Sequence, residues 1–143
     1  MKVDLRRINQ YLLEIKSRTN QLKELLEKST NDEILSSIWI VKGIKYTIVE
    51  IAEAMANVIQ HILSKEKGIP VKGYVEGVIL AAEEKIISSV LAQKLKPFFD
   101  FRNAIIHRYW IISDEKLLQL LRKNLSDFEQ FIEEIEIYLH DKR

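Results

Sequence analysis

The chain of 143 residues is 47% hydrophobic and 30% charged. This is the balance of one folded soluble domain, long enough to bury a core without covalent staples. It contains no cysteine, which excludes disulfides, zinc fingers and thiol catalysis. Its 22 basic and 21 acidic side chains leave a net charge of +1, which argues against a strong non-specific nucleic-acid binder; any contact with RNA must be local or shared with a second subunit. The start Met1-Lys2-Val3-Asp4-Leu5-Arg6-Arg7 has no apolar stretch of the secretory kind, and no apolar run approaches the roughly 20 residues of a membrane span. A cytoplasmic location is expected.

Only four glycines and two prolines are present, which favours long helices over hairpins. The first predicted helix covers residues 4–28. Its stripe of Leu5, Ile8, Leu12, Ile15, Thr19, Leu22 and Leu26 steps by three and four, the spacing of a bundle seam. Ser29-Thr30-Asn31-Asp32 breaks the pattern and offers N-caps. A second helix over 32–65 carries Ile34, Ile38, Val41, Ile44, Ile48, Ile51, Met55, Val58 and Ile62. At about 1.5 Å per residue it would span roughly 50 Å, with a kink near Gly43. Lys67-Gly68-Ile69-Pro70-Val71-Lys72-Gly73 is the clearest loop. A short helix over 74–82 follows. After the turn at Ile86-Ile87, Ser88 or Ser89 caps a helix over 90–110; Pro97 either kinks it or opens a second helix abutting the first. Ser113-Asp114 caps a last helix to residue 140, with Leu117, Leu121, Leu125, Phe128, Ile132, Ile135 and Leu139 on its stripe. No segment alternates with period two, so no sheet is predicted. The expected fold is an all-α antiparallel bundle of four long helices and one short one, in one domain over 1–143.

One stretch interrupts apolar sequence with chemistry: Arg102-Asn103-Ala104-Ile105-Ile106-His107-Arg108-Tyr109. Setting Arg102 at 0° on an ideal helix places Asn103 at about 100°, His107 at about 140° and Tyr109 at about −20°. Asn103 and His107, four apart, can touch, and Arg102 shares a face with Tyr109. Arg102 and His107 diverge, so one helix does not aim both at a single atom. A second copy related by a two-fold axis would complete the site, and symmetric homodimers are the commonest oligomers.

The spacing Arg-x4-His resembles the motif of the HEPN family, and Arg-x4-His-x-Tyr resembles the HepT toxins of HepT–MntA toxin–antitoxin pairs. The resemblance extends over most of the chain. It takes in Gln60-His61-Ile62 at the end of the long helix, the Gly-Ile-Pro loop, the Phe101-to-Tyr109 core and Leu125-Ser126-Asp127-Phe128. It implies a HEPN-like helical bundle and a metal-independent endoribonuclease toxin of a type VII-like pair, with no cofactor. The ribose 2′-OH would attack the adjacent phosphate, so DNA would be spared. His107 would move the proton as base or acid. Arg102 would present paired N–H donors to the phosphoryl oxygens, and Asn103 would orient His107 or bind phosphate. The resemblance also makes Tyr109 the position that a partner nucleotidyltransferase of the MntA type modifies with AMP, blocking RNA by charge and bulk. An aspartate common in the family aligns with Asn57, so a role for the long helix at the site is not assigned.

Other readings compete on the residues alone. Arg102 and His107 could be a hydrogen-bonded pair joining two helices, and Tyr109 an interface aromatic. The chain could be a non-catalytic helical subunit that binds nucleotide or substrate for a nucleotidyltransferase, or a helical interaction protein. Arg108 reads as a solvated charge, His61 as structural and His140 as frayed. The three scattered histidines make no metal site. Trp39 and Trp110 read as core or interface anchors.

Overall fold

In the computed structural model, residues 2–107 and 113–141 are described. They form α1 (Leu5–Lys28), α2 (Asn31–Leu35), α3 (Ile38–Lys67), α4 (Tyr74–Glu83), α5 (Ser89–His107), α6 (Asp114–Asn124) and α7 (Ser126–Asp141). The all-α fold is as the sequence indicates, and there is no strand among the described residues.

Two long helices predicted as continuous are divided. The first break follows α2. Thr30 opens that helix with a capping box, its hydroxyl accepting from the Glu33 N–H while the Glu33 carboxylate accepts from the Thr30 N–H. Ser36 then turns its hydroxyl back to the Glu33 carbonyl, and Ser37 starts α3 by accepting from the Ile40 N–H. Two serines that compete for backbone partners thus outweigh the apolar periodicity across them. The reset register leaves Ile38, predicted as core, 62% exposed. The second break sits at Leu125, between α6 and α7.

Elsewhere the local signals hold. α3 runs unbroken through Gly43 and stops at Gly68, whose left-handed φ of 63° suits a residue without Cβ. Ser88 caps α5 by accepting from the Leu91 N–H. Glu134 of α7 adds a second cap there, accepting from the Ser88 N–H at 2.6 Å. Pro97 lies inside one continuous helix, α5. Its ring removes the N–H that would bond the Gln93 carbonyl, but both residues are on the exposed face, within reach of water.

α1 and α3 pack antiparallel, Asp4 lying by His61 and Arg18 by Glu50. α4 and α5 cover the rest of α3, α7 closes the core against α1 and α5, and α2 pairs with α6 at one end. The predicted stripes supply the core: Ile8, Ile15, Ile48, Ile51, Met55, Ile62, Leu121, Phe128 and Ile135 are fully buried. α5 adds Phe98 and Phe99, the former 4.7 Å from Phe128 between ring centroids. Arg122 of α6 ties the end of α1, donating to the Leu26 carbonyl, the Ser29 carbonyl and Asn31 Oδ1. A guanidinium there satisfies carbonyls that a helix C-terminus leaves open.

Candidate active site

The buried face of α5 fixes where its polar residues go. Phe98, Phe99, Phe101 and Ala104 face the core, which turns Arg102 toward the edge between α3 and α4. Its guanidinium lies over the Tyr74 ring, Cζ 4.0 Å from the centroid. Tyr74 in turn stacks on Phe99 at 6.1 Å. Arg102 Nη1 donates to Asn103 Oδ1 at 3.2 Å, and Nη2 is 3.9 Å from the Glu53 carboxylate of α3. The buried Nε has no hydrogen-bond partner among the described residues. A guanidinium carries five N–H donors. This one is held by stacking and two polar contacts, and it keeps donors to spare for an incoming anion.

Asn103 is half-buried and lends its oxygen to Arg102. His107 is exposed in the last turn of α5. Tyr109, with Arg108 and Trp110, lies outside the described residues. Asn57 is exposed one turn beyond Glu53, in an open cleft of about 450 Å³ that also holds Arg7, His61, Lys65 and Pro70.

Sequence reasoning missed Glu53 and Tyr74. It assigned the long helix no role at the site, whereas α3 brings the Glu53 carboxylate to 3.9 Å from Arg102. Glu53 shares the face of Asn57 by its four-residue spacing, which was the available signal. Tyr74, at the start of a helix far away in sequence, gave none.

His61 is structural, as expected. The Asp4 backbone N–H donates to its Nε2 at 2.9 Å, so the imidazole must be neutral. Burial, then Arg7 and Lys65, push its pKa below the ordinary 6.5, with Asp4 opposing. A lowered histidine pKa means the unfolded chain binds the proton more readily. The stabilisation is therefore complete above the unfolded value and declines as pH falls from about 6.5 toward the folded pKa. His61→Gln keeps an acceptor that does not titrate. Urea unfolding at pH 7.5 and 5.5 should show a smaller loss for the variant than for the wild type.

Among the described residues, no three His, Asp or Glu side chains cluster to hold a metal ion. No described helix is long and apolar enough to cross a membrane.

This geometry can be set beside known proteins. A computed profile of ribonuclease HepT-like proteins matches residues 8–135. The mRNA nuclease HepT of Shewanella oneidensis is 30% identical over 84 residues, which are 58% of this chain and 62% of that protein. Among solved structures, the tri-AMPylated Shewanella oneidensis HEPN toxin in complex with an MNT antitoxin superposes with a TM-score of 0.84 at 20% identity, over 96% of this chain and 99% of that one. A toxin–antitoxin structure with AMP-PNP superposes at 0.81 and 19% identity, over 94% and 99%. The Bacillus subtilis cytosolic protein YutE does so at 0.79 and 16% identity, over 98% and 93%. At such identities the structures establish the shared fold. With a profile that spans most of its length, the chain belongs to the ribonuclease HepT-like family.

Proposed function

We propose that this protein is a metal-independent endoribonuclease toxin that acts in the cytoplasm as a homodimer. The observation that carries the reading is Arg102: a guanidinium fixed on Tyr74, with donors uncommitted, on the helix that ends in an exposed His107. Family membership supports it, as does a relative described as an mRNA nuclease.

The chemistry follows from the two side chains. The 2′-oxygen attacks phosphorus while its proton passes to a base, and the bond to the 5′-oxygen breaks as an acid protonates it. The products are a 2′,3′-cyclic phosphate and a 5′-hydroxyl. His107 supplies proton transfer, and Arg102 stabilises the negative charge gathering on the phosphoryl oxygens. Asn103 helps hold Arg102. Because the two side chains diverge around α5, Arg102 of one copy works with His107 of the other across the dimer cleft. The test is purified protein incubated with RNA in a chelator. RNA fragments with cyclic phosphate ends are expected and DNA should stay intact; RNA left whole would refute the mechanism.

The antitoxin in this reading is a nucleotidyltransferase of the MntA kind, which attaches AMP to Tyr109, two residues past His107. Each AMP adds a phosphodiester charge that repels RNA from the site. The fold match to a tri-AMPylated toxin motivates this step. Co-expression with the partner should raise the intact mass by whole multiples of AMP. Tyr109→Phe should remove the increase, and an unchanged increase would move the modification elsewhere.

A further inference from the structure

A polar track runs along α3 away from the candidate active site. Glu53, Asn57, Gln60, His61 and Ser64 recur at three- and four-residue steps, so they share one face of the helix. Glu53 meets Arg102 at one end. The rest of the track lines the open cleft of about 450 Å³, together with the start of α1 and the loop over residues 69–71. Along the helix axis the cleft begins at Asn57, about 6 Å past Glu53, and ends at Lys65, about 18 Å past it.

A chain of net charge +1 can hold RNA only on a local basic surface, and this cleft is one. Arg7 and Lys65 line it, and none of its lining residues is acidic. The partly buried cations elsewhere are paired: Arg18 with Glu50, Lys45 with Asp114, Lys67 with Glu84 and Arg102 with Glu53. Arg7 and Lys65 form no such pair among the described residues. Asp4, the acid beside Arg7, is engaged in capping α1, its carboxylate accepting from the Arg7 backbone N–H. The cleft therefore keeps a positive balance that an anion would relieve.

The remaining lining suits a nucleoside. Tyr11 and Pro70 supply flat apolar surface of the kind on which unstacked bases lie. Arg7 Nε donates to the Tyr11 hydroxyl at 3.3 Å, which holds the guanidinium beside the ring and leaves its terminal nitrogens for a phosphate. Asn57 and Gln60 offer carboxamides that both donate and accept, as the edge of a base requires. The His61 tautomer is fixed: Nε2 accepts from the Asp4 N–H, so Nδ1 carries the proton and is a donor. An acidic peptide would use the two cations but neither the flat surfaces nor the carboxamides; single-stranded RNA uses all of them.

We propose that this cleft is a subsite for a nucleotide flanking the cut in single-stranded RNA, with its phosphate between Arg7 and Lys65, its base on Tyr11 and Pro70, and the base edge against Asn57 and Gln60. The proposal rests on the ribonuclease reading above and names the residues that read sequence beside the scissile phosphate.

The test compares the full chain with the double variant Arg7→Gln/Lys65→Gln. Neither side chain belongs to the buried core, so helical circular dichroism should be unchanged. Fluorescence anisotropy of a labelled single-stranded RNA, with His107→Ala added to both proteins to prevent cleavage, should show binding weaker by about tenfold or more. The slope of log affinity against log salt should be shallower by about 0.7, the value for one single-stranded phosphate contact. With His107 intact, cleavage of a long RNA should show a raised KM and an unchanged kcat. A dinucleotide, with one phosphodiester, is too short to reach the cleft and should be cut equally by both proteins. Wild-type RNA affinity and salt slope in the double variant would overturn the subsite and leave the nuclease reading standing. So would a variant that binds RNA normally but loses the nucleotidyltransferase, since the cleft would then belong to that partner. An equal loss on the dinucleotide would also overturn it, because the change would then lie in the active site. Weaker RNA binding by the double variant, with no cleavage by the wild type, supports the subsite and removes the nuclease reading.

Discussion

Replacing His107 with alanine is expected to abolish RNA cleavage while the helical fold survives. The side chain is exposed at the end of α5 and contributes nothing to the buried core, so its removal opens no cavity. With the fold unchanged, the loss is chemical. General acid–base transfer by a positioned side chain contributes about 10²- to 10⁴-fold, and the variant should fall by that range in single-turnover cleavage of a defined RNA. Circular dichroism and thermal unfolding provide the control. A folded variant that cleaves at the wild-type rate would end the role assigned to His107.

Arg102 should be nearly as sensitive, and the informative contrast is between two substitutions. Arg102→Ala removes the charge proposed to face the phosphate, and loss of a preorganised donor costs about 10²- to 10³-fold. Arg102→Lys retains the charge, but an ammonium has no planar face for Tyr74 and no fork for two phosphoryl oxygens. Lysine should therefore behave like alanine. Recovery of most activity by lysine would mean that Arg102 acts only as a point charge, and the stacked geometry on Tyr74 would lose its catalytic meaning. Tyr74→Leu offers a complementary measurement, since it leaves Arg102 in place and should lower the rate by loosening it.

Both predictions depend on how far the site could be read from sequence. Arg102, Asn103 and His107 stood out because each is polar amid an apolar run. The divergence of Arg102 from His107 around one helix followed from its period alone. The partners of Arg102 were not legible. Glu53 and Tyr74 reach it from α3 and α4, and no local pattern announces a contact across so many residues. The carboxylate on α3 went unassigned for the same reason. A helical period tells which residues share a face, not which of them meets a neighbour.

The same limit explains the helix count. Apolar spacing carried through Ser36-Ser37 and through Leu125 without a visible fault, yet the chain breaks at both. Periodicity reports which side of an element is buried, whereas the break after α2 depends on serine hydroxyls taking backbone partners. At Pro97 the outcome was reversed: a residue that commonly ends helices sits inside one, because its face is open to water.

By itself the sequence determined the helical class, most of the core stripes, a cap at Ser88 or Ser89, the cap at Ser113 and the polar set on α5. All of these arise from residues within a turn or two of each other, where propensity and period act directly. Only the tertiary structure decided what holds Arg102, why His61 must stay neutral and which face of α3 stays open. Those depend on helices meeting from distant parts of the chain, and burial against a neighbour is a property that no single helix possesses alone.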